Sequence, residues 1–151
     1  MTDRAKAARD ALRVFILAQQ ELQRLSEEIE TVRAKLASTS RPARDVNIQY
    51  NRDPRAIEGL IATLSDLTAF YDARLVDVER MRLTMERRIS QITGTPGMVL
   101  QKRYLQGKML EDIAHDMEYS IRQIIRMHVT GLEQYAKLSF HVTDIRDTMA
   151  M

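Results

Sequence analysis

From Ala8 to Leu36 apolar side chains return every seventh residue in two rows, with Ala8, Phe15, Leu22, Ile29 and Leu36 in one and Ala11, Ala18, Leu25 and Val32 in the other. A strand would send residues seven apart to opposite faces, so this spacing serves only a helix that lays one stripe against another helix. The pattern stops near Ser38. Residues 38–53 contain Pro42 and several turn formers, which predicts a polar loop. Asp53 then offers an N-cap and Pro54 a first-turn proline.

A second long helix should run from there to about Ile92 and stop at Thr93 and Gly94. Its row of Ile57, Leu60, Ile61, Leu64, Leu67, Tyr71, Leu75, Val78, Met81, Met85, Ile89 and Ile92 should face the first helix. Joined by the loop, the two helices are expected to form a long antiparallel hairpin, a coiled coil roughly 50 Å long at about 1.5 Å per residue. That pairing would put Val32 and Leu36 near Ile57 and Leu60, and Phe15 near Met85. Three Pro, five Gly and no Trp in 151 residues agree with an all-α chain of long helices.

One helical pair covers only one stripe of each partner, whereas Val14, Phe15, Ile16 and Leu17 wrap every side of the first helix. The second carries a back face of Ala62, Ala69, Phe70, Ala73, Val76 and Leu83. Apolar surface in that excess predicts a homodimer or higher oligomer through the hairpin.

A formal charge of +2 spread over interspersed acids and bases implies neither an acidic tail nor a basic one. With no Cys there are no disulfides, thiol nucleophiles or Cys-based zinc sites. No apolar run nears the ~20 residues of a membrane span, and no signal-peptide core follows the N-terminus. The expectation is a cytoplasmic protein with no membrane partner. His115, His128 and His141 lack the spacing of a metal site, and the Met residues fit helical core rows. No phosphate loop, nucleophile elbow or isolated carboxylate pair can be singled out. Neither a catalytic residue nor a metal or other cofactor is therefore expected, and the chain is read as a non-enzyme.

Residues 94–138 have a different organisation. A helix from Met98 meets a Gly turn at Gly107, and a short helix should follow from Leu110 to Met117, with Ile113 and Ala114 inward and Glu111, Asp112, His115 and Asp116 outward. Ala114 is small enough for another helix to cross closely. Glu118, Tyr119 and Ser120 form a turn, and Ser120 with Gln123 has the spacing of a capping box. In the helix that follows, Ile124, Met127 and Leu132 should face inward. Arg122, Gln123 and Arg126 should face out, with His128 a surface residue further along.

This arrangement is a helix-turn-helix, and Arg and Gln near the start of its second helix suit base edges in the major groove of double-stranded DNA. A solvated helix face is the plainer reading of the same residues. Residues 95–138 hold six basic and five acidic side chains, too even a balance for strong nonspecific affinity. Binding should thus need dimerisation, further basic segments or a protein partner. Arg41, Arg44, Arg52 and Arg55 could make an accessory phosphate arm, but Asp45 and Asp53 dilute them and an ordinary polar loop is the favoured reading. The tail, 139–151, could extend the last helix or form one of its own.

The segment from Val99 to Leu138 resembles region 4 of sigma-70 factors. It is more similar to phage and prophage proteins with that module, among them the ArpU and RinA types of late transcription regulator. The resemblance is carried by Arg103, Tyr104, Leu105, Gln106 and Gly107, by the pair Ile113 and Ala114, and by Tyr119 to Ile124. It is carried more loosely by the polar loop ahead of a long helix. It implies a DNA-facing set of Ser120, Ile121, Arg122, Gln123 and Arg126, with Ile121 standing where sigma factors commonly carry a charge. The function it implies is that of a phage or prophage transcriptional regulator in a bacterial host. Two alternatives remain open. One is a small terminase subunit for DNA packaging, which would assemble into rings. The other is a protein-binding module that engages RNA polymerase or another host protein.

Overall fold

The computed structural model describes residues 1–40 and 54–149 of the chain, and every described element is helical. The accessory arginines Arg41, Arg44 and Arg52, most of the 38–53 loop and the N-cap expected at Asp53 lie outside the described residues. Helix α1 covers Asp3–Ser40, so Ser38 and Thr39 belong to helix and not to loop. Thr2 caps it: its Oγ1 accepts from the Ala5 amide at 3.2 Å and its carbonyl accepts from Lys6. Helix α2 covers Pro54–Ser90, with Pro54 in the first turn as expected.

The chain divides into two compact units that cut across both long helices. One is Gln19–Val78; the other joins Met1–Ala18 to Glu79–Met151. The division differs from the boundary expected at residue 93.

In the unit 19–78 the heptad rows do what their spacing predicts, and Leu22, Leu25, Ile29 and Val32 are buried. The helices run with opposite polarity. Arg74 of α2 donates to Glu21 of α1 at 2.7 Å, while earlier in α2 Thr63 and Leu67 border a groove with Thr31 and Val32. Ile61 departs from expectation and is 54% exposed. It sits about 100° around the helix from Leu60, so the two cannot share a narrow stripe.

In the other unit Ala5, Ala8, Leu12, Phe15 and Ala18 line the inner side of α1, and Met85 and Ile89 of α2 and Ile92, just past its end, are buried with them. Ala11, expected in the second row, is exposed, and its neighbour Leu12 is buried instead. Burying Leu removes more apolar surface from water than burying Ala, and a small rotation of the helix makes the exchange.

Helix α3, Thr95–Leu100, starts at Gly94, whose φ of 79° suits glycine, and has Pro in its first turn. A π-helical turn follows over Gln101–Leu105, closed by the Gln106 amide donating to the Gln101 carbonyl. Gly107, at φ 72°, turns the chain into α4, Leu110–Met117. Helix α5 covers Ile121–Met149, so residues 139–149 extend it and are not a separate helix.

Gly131 interrupts α5 where glycine costs about 1 kcal/mol relative to alanine. The reason is a close crossing by α3: a Cβ at 131 would stand 2.9 Å from Leu100 Cγ and 3.0 Å from the Pro96 carbonyl oxygen. Among the described residues no helix is long and apolar enough to cross a membrane.

Candidate functional site

Helices α4 and α5 are locked by a small apolar core. Val99, Ile113 and Ile124 are fully buried, Ala114 nearly so, and Leu110, Met117 and Met127 pack around them. The inward positions read from the sequence are the ones used, and α4 has the expected limits.

The turn between the helices is closed from both sides. Glu118 takes a left-handed conformation at φ 59°, ending α4, and the Tyr119 amide donates to the Ala114 carbonyl at 3.0 Å. This is a Schellman closure with Glu where Gly is usual, and it costs on the order of 1 kcal/mol in backbone strain. On the other side the Gln123 amide donates to Ser120 Oγ at 3.2 Å, and Gln123 Oε1 accepts from the Ser120 amide at 3.0 Å and from its hydroxyl at 3.1 Å. The capping box is present, with the consequence that Gln123 has only Nε2 left to offer a ligand.

Before α4, Lys108 pairs with Asp116 at 2.6 Å and Arg103 donates to the Lys108 carbonyl at 3.1 Å, which fixes the Gly107 turn against α4. The hydrogen bond from Lys108 holds the Asp116 carboxyl below its usual pKa.

Ser120, Ile121, Arg122, Gln123 and Arg126 are all exposed. Arg122 and Arg126 are one turn apart on the side of α5 opposite Ile124, so both point away from the core. Tyr119, Ile121, Ile125 and Met109 are exposed as well, between 37% and 56%. Three of these large apolar side chains therefore flank the two arginines at the start of α5.

His128 is not the surface residue expected. It is partly buried, its ring stacks on Tyr104 at 5.7 Å, and its Nε2 lies 2.8 Å from the Tyr104 hydroxyl. Tyr104 is only 1% exposed. Burial, reinforced by the nearby Arg103, Arg13 and Arg9, pulls the His128 pKa down to about 4, and burial pushes the Tyr104 phenol up.

Because the folded value lies below the ~6.5 of an unfolded His, the unfolded chain binds more protons in between. The stabilising contribution is complete above about pH 6.5 and is lost as pH falls towards 4. Discounted for the part of the ring that faces water, it amounts to roughly 1–2 kcal/mol. Urea unfolding at pH 7 and pH 5 should show wild type losing more stability than His128→Gln, and equal losses would mean that the ring is solvated in the fold.

Electrostatics change once the compact unit is considered whole. Residues 1–18 and 79–151 hold fifteen Lys and Arg against eleven Asp and Glu, a net of +4, whereas residues 19–78 net −2. The N-terminal segment supplies Arg4, Lys6, Arg9 and Arg13 to the same unit as α5, which a reading limited to residues 95–138 misses. No sequence motif announces this. An isolated Gly at 131 and an aromatic at 104 beside Arg103 are the signals of close packing that the residues offer. Among the described residues no group of His, Asp or Glu could hold a metal ion. No family model, curated protein or solved structure matches this chain.

Proposed function

We propose that this chain binds double-stranded DNA, with α4, the turn and α5 acting as a helix-turn-helix and Ser120, Ile121, Arg122, Gln123 and Arg126 forming the contact set. The observation that carries the reading is the pair Arg122 and Arg126, displayed outward on the first turns of a helix whose start is held by reciprocal Ser120 and Gln123 hydrogen bonds. Arginines placed in that way reach guanine edges or phosphates, and a capped helix start presents them without further ordering cost. The +4 balance of the unit adds long-range attraction to the phosphate backbone.

In this reading α1 and α2 form the antiparallel coiled-coil hairpin that sets oligomeric state, and the resemblance to phage sigma region 4-like regulators makes transcriptional control in the bacterial cytoplasm the use of the binding. The chemistry is recognition and not catalysis. The exposed Tyr119, Ile121, Ile125 and Met109 favour a second reading, in which the same module engages RNA polymerase or another host protein.

The test is selection of bound fragments from a phage and host DNA library at about 150 mM salt, set beside an Arg122→Ala/Arg126→Ala variant. A short enriched motif is expected for wild type. The variant should bind it at least ~30-fold more weakly, with a salt slope shallower by about two. Absence of enrichment in wild type would discard direct readout in favour of the protein-binding reading.

A further inference from the structure

Four residues of α2, Ala62, Ala69, Val76 and Leu83, are spaced by seven and all exposed, with Val76 and Leu83 each about half uncovered. Ala73 lies between them and is exposed too. Scattered apolar residues on a surface need no explanation, but a row with the coiled-coil period along one continuous helix has the form of a seam. It runs along the side of α2 opposite Val78 and Met85, which are buried.

We infer that this row is an isologous interface on which α2 pairs antiparallel with α2 of a second copy, about a two-fold axis close to Asp72 and Ala73. Two features select that occupant and that direction. The row is small at one end and large at the other, so antiparallel pairing sets Ala62 against the partner's Leu83 and Ala69 against the partner's Val76, filling each gap with a larger side chain. Parallel pairing would set Ala62 against itself and leave a void, with Leu83 crowded against Leu83 further along.

The charges beside the row favour the same direction on balance, since the axis brings Asp72 to its own copy but parallel pairing does so for every charge. In the antiparallel register Asp66 comes alongside the partner's Arg80 and Glu58 alongside the partner's Arg87, whereas parallel pairing sets each of these charges against its own copy. The small side chains of Ala62, Ala69 and Ala73 also let two helices approach closely. The surface stands on α2 alone and does not depend on DNA being the ligand, although pairing there would double the phosphate contacts that the DNA reading uses.

The chain has no Cys, so single engineered thiols report on the pairing without background. Ala62→Cys and Leu83→Cys proteins, mixed and mildly oxidised, should form a disulfide-linked heterodimer, while neither links to itself. Ala73→Cys, next to the axis, should link to itself. Ala69→Glu should give a monomer by sedimentation with its helical content unchanged, at concentrations where wild type is a dimer. Self-linking of Ala62→Cys, a wild-type monomer at tens of micromolar, or a ring of many subunits would each overturn the proposal. The DNA selection above reads out separately from all three.

Discussion

Gly97→Ala is expected to unfold the protein at temperatures where wild type is fully folded. A Cβ at position 97 would stand 2.2 Å from the Ile92 carbonyl oxygen and 3.1 Å from its carbon, so the obstacle is main chain and cannot rotate away. Relief requires α3 to shift from the end of α2, and α3 supplies Val99 and Leu100, both fully buried. A forced backbone displacement in a packed core costs on the order of 3–5 kcal/mol, a large fraction of the stability of a domain this size. Gly59→Ala serves as the control, because nothing lies within 4 Å of its Cβ and it sits within α2. Alanine there should leave stability equal or raise it by up to about 1 kcal/mol. Chemical denaturation of both variants is the measurement, and a Gly97→Ala protein as stable as wild type would show that the turn after α2 relaxes freely.

Ile124→Ala should cost about 2–4 kcal/mol, and its effect separates the floor of the candidate site from its face. Ile124 is fully buried among Val99, Ile113 and Ala114, where truncation removes apolar contacts and leaves a cavity. Ile121 and Ile125 are 39% and 46% exposed, one on each side of it in sequence, and alanine at either should change stability by no more than about 0.5 kcal/mol. If DNA is the ligand, Ile124→Ala should weaken binding only as far as folded protein is lost, whereas Arg122→Ala/Arg126→Ala should weaken binding with stability intact. Unfolding curves and binding isotherms on the same samples check both halves of the statement. A stability loss at Ile125 equal to that at Ile124 would mean that α5 is rotated from the orientation described.

Much of this arrangement is legible in the residues because it is local. The limits of α4, the inward turn of Ile113, Ala114, Ile124 and Leu132, and the Ser120 and Gln123 cap all follow from spacing within a few residues. What the residues alone do not disclose depends on partners distant in sequence. His128 has the polarity of a surface residue, and only its apposition to Tyr104, twenty-four positions earlier, takes it out of water. Ala11 and Leu12 both fit an apolar stripe, and which of them is buried depends on a small rotation of α1. The commitment of Gln123 Oε1 to the cap, which the capping-box spacing already implies, also narrows what that side chain can contribute to recognition.

The unit that contains α5 is made from both ends of the sequence, Met1–Ala18 and Glu79–Met151. During vectorial synthesis Ala5, Leu12 and Phe15 therefore leave the ribosome well before the residues of their own unit exist, a wait on the order of ten seconds at about 5–20 residues per second. The intervening segment, complete by Val78, can close first, while the leading apolar stripe stays uncovered and open to chaperones or to aggregation. A premature stop anywhere soon after Glu79 strands that stripe permanently, so truncated products of this chain should be sticky and short-lived instead of inert.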